Sequence, residues 1–468
     1  MLFHMTKKHF DIIVIGAGPG GYPAAIRAAQ IGKSVALVEA GELGGTCLNV
    51  GCIPSKTLIA GAEIWQSVLN CSKFGISVEN PTFDYAKMVE RKDNVVKKVR
   101  SGLEGLIKAN KITLVRGFAT FLSPKKLKID GDETQEITGD KIIIATGSSP
   151  KEIPAFPFDG KRILNSTDIL AMTKLPKSLV IIGGGVIGCE FASLFNALGV
   201  EVTVLEMMPR LIPMEAEAVS SALEKAYRKQ GIKVEVGKMV KKAEAGENGV
   251  KIELEEGKVY EAELCLVAVG RSMNTDKIGL DKAGVKDDGK GNIPTNEKME
   301  TNVEGIYAIG DIASKWWLAH VASHQGLVAA SNACGKPARM HYDAVPSVIF
   351  THPEIATCGL SLEEAIDQGY DATVGAFPFQ ALGKSQASLK TEGFAQIVTD
   401  KKTHQILGAQ IVGTEASTLI AEMAVAIGNE LTVECITETI HAHPTVAEVW
   451  MEAALVAFET PLHLPPKR

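Results

Sequence analysis

Two cysteines lie close together in the segment GGTCLNVGCIPSK, residues 44–56, where Cys47 and Cys52 are five positions apart. A disulfide between them would close so short a loop that it would constrain the unfolded chain little, so stapling is a poor explanation. A zinc site would want a second ligand pair at suitable spacing, and none follows in the sequence. The pair therefore indicates a disulfide that opens and closes in redox chemistry.

The residues around the pair favour a reactive thiol. Gly44 and Gly45 permit a tight turn, and IPSKTLIAGAEIWQSV predicts a helix with Pro54 in its first turn. A helix N-terminus beside Lys56 would lower the pKa of a thiol and stabilise its thiolate. The other six cysteines are scattered singly, and we expect them to be small buried side chains. They are Cys71, Cys189, Cys265, Cys334, Cys358 and Cys435.

A sequence pattern that could hold a dinucleotide occurs twice. FDIIVIGAGPGGYPAAIRAAQIGKSVALVEA predicts a strand, a GxGxxG turn, a helix and a second strand, and SLVIIGGGVIGCEFASLFNALGVEVTVLE repeats this order. The glycines let the backbone approach a pyrophosphate at a helix N-terminus, and the acidic residue after each second strand can bind a ribose. The residues are Gly16, Gly18, Gly21 and Glu39 in the first copy, and Gly183, Gly185, Gly188 and Glu206 in the second.

The order of these motifs suggests a relay from dithiol to flavin to nicotinamide. Because the cysteines directly follow the first copy, we expect that copy to bind the flavin. KIIIATGSSP predicts a strand that ends at Thr146 and Gly147, and ELCLVAVGRSMNT repeats that form with Gly270. GIYAIGDIA brings Asp311 to the end of a strand, where its carboxylate could bind flavin ribitol hydroxyls or merely cap a turn.

Composition excludes several classes of function. The 468 residues suggest about three domains, and 46% hydrophobic with 22% charged residues is ordinary for a globular protein. The net charge of −6 comes without a basic cluster, so nucleic acid is an unexpected partner. No segment has the pattern of a signal peptide or membrane span, so we expect a cytoplasmic protein without a membrane partner, translated from Met1 or Met5.

The segment HAHPTVAE near the C-terminus supplies a candidate base. A thiol substrate must lose its proton near neutral pH, and imidazole is suited to that task. His443 is the candidate, with Glu448 accepting the other ring N–H and fixing the tautomer. On these residues alone, His441 and His443 are more readily two surface histidines or half of a metal site.

Together the motifs resemble those of a known family. GGTCLNVGCIPSK, the paired glycine units, AIGD, LAHVASHQG, PSVIFTHPEIATCGL and IHAHPTVAEVW occur in the same order in the dihydrolipoamide dehydrogenases, which are FAD-dependent pyridine nucleotide-disulfide oxidoreductases. The resemblance runs from about residue 10 to about residue 460. It implies an α/β fold with two Rossmann-like dinucleotide-binding domains, for FAD and NAD, and an α+β C-terminal dimerisation domain.

The resemblance also implies four regions. Residues 1–150 would form the first part of the FAD-binding domain with its redox disulfide, and residues 151–275 the NAD-binding domain. Residues 276–345 would form a central domain that completes the FAD site, and residues 346–468 the interface domain of a homodimer.

Roles for single residues follow from the same resemblance. Cys47 resembles the thiol that exchanges with substrate, and Cys52 resembles the thiolate that faces the flavin. Lys56 and Glu190 would form an ion pair near the flavin, although both read alone as exposed helix residues. His443 would act on the disulfide of the partner subunit, so each active site would span the dimer interface. Further FAD contacts are implied for Gly45, Thr46, Gly117 and the Ala319 backbone.

The implied reaction is oxidation of protein-bound dihydrolipoyl groups to lipoyl groups with reduction of NAD to NADH. The partners would be the lipoyl domains of 2-oxoacid dehydrogenase or glycine cleavage complexes. Glu206 would repel the 2′-phosphate of NADP, and Ile212 stands where NADP-using relatives have a second arginine, so NAD is predicted. The alternatives are another NAD(P)H-dependent disulfide reductase and a non-catalytic docking subunit of a multienzyme complex.

One departure from the family pattern lies next to the LAH segment. SKWW precedes it where the family often has smaller residues. Large aromatic side chains are most often buried, so we expect Trp316 and Trp317 to pack in the core rather than near the flavin or substrate entrance.

Overall fold

The first dinucleotide unit is a mixed sheet covered by helices, in a computed structural model that describes residues 8–465. Its strands are β1 His9–Ile15, β2 Val35–Glu39, β3 Thr113–Arg116, β4 Phe118–Ser123, β5 Lys126–Asp130, β6 Gln135–Ile144 and β7 Ser148–Pro150. Its helices are α1 Gly21–Gln30, α2 Gly45–Val50, α3 Cys52–Leu69 and α4 Tyr85–Ala109. The choice between Met1 and Met5 lies outside the described residues.

The apolar strand β1 lies at the centre of this sheet. The strand order is β3-β2-β1-β6-β5-β4, with Ile306–Ala308 also paired to β6. Strands β3, β2, β1 and β6 are parallel, whereas β4 and β5 are antiparallel additions at one edge. Because the parallel strands end at the same edge, the glycine turn after β1 and the segment after β6 lie together there.

The second dinucleotide unit repeats the first with a fully parallel sheet. Its elements are β8 Ile163–Leu164, α5 Asp168–Ala171, β9 Ser178–Ile182, α6 Val186–Ala197, β10 Glu201–Leu205, α7 Glu217–Lys229, β11 Lys233–Glu235, β12 Val240–Ala245, β13 Val250–Leu254, β14 Val259–Ala262, β15 Leu264–Val267 and β16 Arg271–Met273. The order β11-β10-β9-β15-β8 places the glycine turn after the central strand β9. Strands β12 to β14 form a separate antiparallel sheet.

A short antiparallel ribbon joins the two units. Strand β7 pairs with β16, so the chain leaves the first unit and returns from the second at the same place. After the ribbon come α8 Leu280–Ala283, β17 Ile306–Ala308 and α9 Ala319–Ala333. Strand β17 completes the first sheet, and α9 packs against α1. The residues that follow the second unit thus return to the first.

The C-terminal unit is an α+β layer structure. Its elements are β18 Ser347–Ile349, β19 Ile355–Gly359, α10 Leu362–Asp367, β20 Ala372–Pro378, α11 Gly383–Ser388, β21 Phe394–Asp400, β22 Ile406–Val412, α12 Ala416–Gly428, α13 Val433–Thr437 and α14 Glu448–Ala457. The antiparallel sheet has the order β18-β19-β22-β21-β20. Helices α12 and α14 cover one face, where Trp450 is fully buried and donates to the Leu419 carbonyl over 3.0 Å.

These features confirm the predicted fold class: two Rossmann-like units followed by an α+β domain. The boundaries at 150, 275 and 345 stay predictions. Among the described residues, no helix has the length and apolar character to cross a membrane.

Burial of the scattered cysteines was predicted only partly correctly. Cys189, Cys265 and Cys358 are buried as expected. Cys435 is exposed on the short helix α13, and Cys71 and Cys334 are only partly buried at the ends of α3 and α9. A helix end lies near the surface, so a small apolar side chain there need not be enclosed.

Candidate active site: a dithiol beside a dinucleotide cavity

The two close cysteines are held by consecutive helices. Cys47 lies inside α2, and Cys52 is the first residue of α3, with Gly51 as the N-cap. Pro54 lies in the first turn of α3, as predicted, because a missing N–H costs nothing there. Both cysteines are free thiols in this structure.

The neighbouring thiols of Cys47 and Cys52 shift each other's pKa in opposite directions. The hydrogen bond from Cys47, followed by the positive charge of Lys56, lowers the pKa of Cys52 to about 7. The same hydrogen bond and burial raise the pKa of Cys47. The shifts favour a thiolate at Cys52 over one at Cys47, and the roles of the two thiols stay predictions.

Lys56 and Glu190 meet across the first two units. Lys56 Nζ lies 2.6 Å from Glu190 Oε2, and the backbone N–H of Phe350 donates to Glu190 Oε1 over 3.0 Å. The Lys56 ammonium also lies 4.6 Å from the centre of the Phe350 ring. Glu190 is buried because α6 is apolar around nearly its whole circumference. The interpretation of both residues as exposed is therefore wrong, and the implied ion pair is present.

A cavity of about 890 Å³ extends from the cysteine pair along the carboxyl edge of the first sheet. Both cysteines and Glu190 line it. So do most of the residues predicted to bind FAD, which are Gly16, Gly18, Glu39, Gly45, Thr46, Lys56, Gly117, Thr146, Gly147, Asp311 and Ala319. Its size is within the usual range for an enclosed small-molecule site, about 300–1,000 Å³.

The backbone around the cavity fits a dinucleotide. Gly45 has φ +58°, and a Cβ there would lie 2.7 Å from the Cα of Gly18. The backbone at Gly45 can therefore approach the glycine turn at Gly18 this closely only because it carries no side chain. The Thr146 hydroxyl is buried and lacks a hydrogen-bond partner within the described part of the chain, although it lines the cavity. A polar ligand would satisfy that group, so the residues present fit FAD.

The acidic residue of each unit accepts hydrogen bonds from backbone N–H groups, including one in its own glycine turn. Glu39 accepts from the backbone N–H groups of Ala17 and Gly41, each over 2.7 Å. Glu206 accepts in the same way from Gly184 over 2.5 Å and from Met208 over 2.7 Å. Each carboxylate is therefore fixed at the end of the second strand, where it can also accept from a ribose hydroxyl.

The third glycine of each motif lies behind the turn rather than in the cavity. A Cβ on Gly21 would lie 1.8 Å from the Gly16 carbonyl oxygen, and one on Gly188 would lie 1.9 Å from that of Gly183. Gly21 and Gly188 therefore allow a helix to pack closely on the strand before it, whereas the prediction had them contact the cofactor directly. The other residues predicted to bind NAD also lie outside the cavity lining; they are Gly183, Gly185, Glu206 and Gly270. The second unit contributes to the lining mainly through residues of α5 and α6.

A polar network around Asp311 was missed by the sequence analysis. Asp311 accepts from the Ser148 hydroxyl, and Arg271 donates from Nε to Ser148 Oγ over 2.7 Å. All three residues line the cavity. Ser148 and Arg271 lie on the paired strands β7 and β16, and only strand pairing brings them together. Asp311 does more than cap a turn.

The aromatic pair was predicted incorrectly in one position. Trp317 is 42% exposed and lines the cavity, whereas Trp316 is half-buried. Both precede α9 in a segment without regular structure.

His443 and Glu448 form a dyad away from this cavity. The imidazole of His443 donates from Nδ1 to Glu448 Oε1 over 2.8 Å, and Thr445 N–H donates to the other carboxylate oxygen over 2.9 Å. Burial raises the pKa of Glu448. The hydrogen bonds from His443 and Thr445 lower that pKa by more, so it lies below its usual value. The His443 side chain is 76% exposed. Nothing in the described single chain brings it into the cavity lining.

Residues 10–326 match the family Pyridine nucleotide-disulphide oxidoreductase, and residues 345–454 match its dimerisation domain. The chain belongs to this family. It is 52% identical to dihydrolipoyl dehydrogenase of Chlamydia pneumoniae, over 99% of this chain and 100% of that protein. It is 44% identical to the enzyme of the same name from Geobacillus stearothermophilus, over 97% of both chains.

Solved structures of this family agree with the fold. The crystal structure of LpdA from Mycobacterium tuberculosis superposes with a TM-score of 0.90 at 26% identity, covering 95% of this chain and 98% of that one. The HOCl-induced flavoprotein disulfide reductase RclA from Escherichia coli gives 0.85 at 27% identity, covering 94% and 98%. As a pyridine nucleotide-disulphide oxidoreductase, this protein is an enzyme with FAD and NAD as cofactors, which confirms those predictions.

Proposed function

We propose that this protein oxidises dihydrolipoyl groups to lipoyl groups and reduces NAD to NADH. The observation that carries the proposal is the cysteine pair beside Lys56 and Glu190 in the cavity that fits FAD. The chain also matches dihydrolipoyl dehydrogenases over almost its full length. FAD, when bound, supplies two-electron transfer between the dithiol and the nicotinamide.

The chain's own residues perform thiol exchange. His443 removes a proton from one substrate thiol, and the resulting thiolate attacks Cys47 Sγ in the oxidised pair, so the Cys47–Cys52 bond breaks and a mixed disulfide forms. The second substrate thiol loses its proton to solvent and attacks the substrate sulfur bonded to Cys47, so the mixed disulfide breaks and the oxidised substrate is released, while the departing Cys47 thiolate takes the proton held by His443. Cys47 and Cys52 are left reduced, with Cys47 protonated and Cys52 as the thiolate. Lys56 stabilises that negative charge.

The dimer and the partners belong to the same proposal. The dimerisation domain and the exposed dyad support a homodimer in which His443 serves the cysteine pair of the partner subunit. Lipoyl domains of 2-oxoacid dehydrogenase or glycine cleavage complexes would deliver the substrate. We propose that the protein works in the cytoplasm, because the scattered cysteines form no disulfide scaffold among the described residues. The four regions divided at 150, 275 and 345 are proposed with it.

The test is NADH formation by the purified flavoprotein. Dihydrolipoamide with NAD should give rapid turnover. Turnover should be slow when reduced glutathione replaces dihydrolipoamide, and also when NADP replaces NAD. Turnover with another thiol but none with dihydrolipoamide would contradict the proposed substrate and favour another disulfide reductase. No turnover with any pair would favour a docking subunit.

A further inference from the structure

A second histidine–glutamate pair lies beside the His443–Glu448 dyad, and the proposed reaction leaves it without a role. His441 Nε2 lies 2.9 Å from Glu422 Oε1, and His441 Nδ1 lies 2.9 Å from the carbonyl oxygen of Thr439. Only 5% of the His441 side chain is exposed, whereas that of His443 is 76% exposed. A nearly buried histidine and an exposed histidine, each paired with a glutamate, thus lie two residues apart in the chain.

The hydrogen bonds of His441 determine where its protons lie. A carbonyl oxygen can only accept, so Nδ1 carries a hydrogen and donates it to Thr439. The contact between Nε2 and Glu422 then needs one further proton, held by the imidazole or by the carboxyl group. Without it, lone pairs of Nε2 and the carboxylate would face each other at hydrogen-bond distance in a partly buried contact, which is unfavourable. The contact is therefore a directional link with a proton in it.

This link connects an irregular segment to a helix. Glu422 lies on α12, whereas His441 and His443 lie between α13 and α14, where residues 438–447 form no helix or strand. Such a segment must be held by side-chain hydrogen bonds rather than by a regular backbone ladder. On the far side of His443, the Thr445 hydroxyl donates to the Ala442 carbonyl over 2.7 Å. On the near side, His441 supplies the connection to α12.

We propose that His441 and Glu422 are positioning residues for His443. Their partly buried contact fixes the backbone two residues before His443, so that the imidazole stays aligned on Glu448 and its Nε2 remains directed to the substrate thiol. Neither residue touches the substrate. The inference rests on the proposed function, in which His443 removes the proton from that thiol.

Two substitutions at one position separate the contact from the charge. Glu422→Gln retains the contact, because its carboxamide N–H can donate to Nε2 of a neutral His441 while the Nδ1 hydrogen still faces Thr439. Glu422→Ala removes the contact. A matched control is Glu434→Ala, which removes the pair between His404 and Glu434 in the same domain. That pair joins the turn at His404 to helix α13 and contains neither member of the His441–Glu422 contact.

The measurements use the FAD-loaded dimer. The kcat and KM for dihydrolipoamide with NAD report the step that needs His443, whereas oxidation of NADH by ferricyanide bypasses the dithiol and the base. Glu422→Ala should lower kcat at least about tenfold with KM changed less than about twofold, since misplacement by about 1 Å can cost about a hundredfold. Ferricyanide activity and Tm should match the wild type. Glu422→Gln should keep kcat within about threefold, because the link persists.

Three results would overturn the inference. Glu422→Ala could retain the wild-type kcat, or its kcat could fall in parallel with ferricyanide activity and Tm, as for general destabilisation. Glu422→Gln could be as impaired as Glu422→Ala, which would assign the effect to charge rather than position. Glu434→Ala should keep the wild-type kcat. A wild type without dihydrolipoamide turnover would contradict the proposed function instead, so the two failures are distinguishable.

Discussion

The reactivity of the dithiol depends on a hydrogen bond and a neighbouring cation. Cys47 donates to Cys52 and lowers its pKa to about 7, with a further contribution from Lys56. In the reduced protein, Cys47→Ala should therefore raise the pKa of Cys52 and reduce its thiolate fraction at pH 7. The rate of alkylation of Cys52 against pH, followed by mass spectrometry, gives this pKa directly. Cys435→Ala, which removes an exposed cysteine elsewhere, serves as the control. An unchanged midpoint in Cys47→Ala would contradict the prediction.

Nicotinamide preference should depend on Glu206. Its carboxylate is held by two backbone N–H groups at the end of β10, ready to accept from a ribose hydroxyl and to repel a 2′-phosphate. Glu206→Arg should lower kcat/KM for NAD about tenfold or more, because a hydrogen bond to a charged group contributes about 1.5–3 kcal/mol. The ratio of kcat/KM for NADP to that for NAD should rise. Glu206→Gln retains an acceptor without the charge and should change the ratio less. An unchanged ratio in the arginine variant would count against this role.

At the scale of elements, close contact between α1 and β1 positions the turn that approaches the dinucleotide. A Cβ on Gly21 would lie 1.8 Å from the Gly16 carbonyl oxygen, so Gly21→Ala must push the helix from its strand. We expect destabilisation by about 1–3 kcal/mol with a lower Tm and weaker retention of FAD. Gly105→Ala, in α4 with no atom near its Cβ, should instead be neutral or stabilise by about 0.4–1 kcal/mol. Equal Tm values for the two variants would contradict this account.

At the scale of the whole molecule, the position of the dyad outside the cavity predicts complementation between subunits. Cys47→Ser and His443→Gln homodimers should each have almost no activity with dihydrolipoamide. A mixed dimer with one chain of each kind contains one site with an intact Cys47 and an intact His443 from opposite chains. It should regain about half of the wild-type activity per dimer. Differently tagged chains, purified as the mixed dimer, allow the measurement. A mixed dimer as inactive as its parents would place base and disulfide in the same chain.

Most of the chemistry was predictable because it depends on local spacing. Cys47 and Cys52 are five positions apart, and the glycines of each turn and the acid after each second strand have fixed offsets in the chain. Local geometry determines what such motifs can bind, so the α/β class, both dinucleotide units and the helix that begins at the cysteines could be inferred without coordinates.

The contacts that complete the site depend on residues far apart in the chain. Lys56 and Glu190 are 134 positions apart, and Arg271 reaches Ser148 only because β7 pairs with β16. The exposure of Trp317 and the burial of His441 likewise follow from which elements pack around them, which composition and periodicity do not specify. Local motifs and their spacing thus determined which chemistry the chain carries, whereas long-range packing determined which side chains meet to perform it, because contacts between distant residues form only when the elements are assembled.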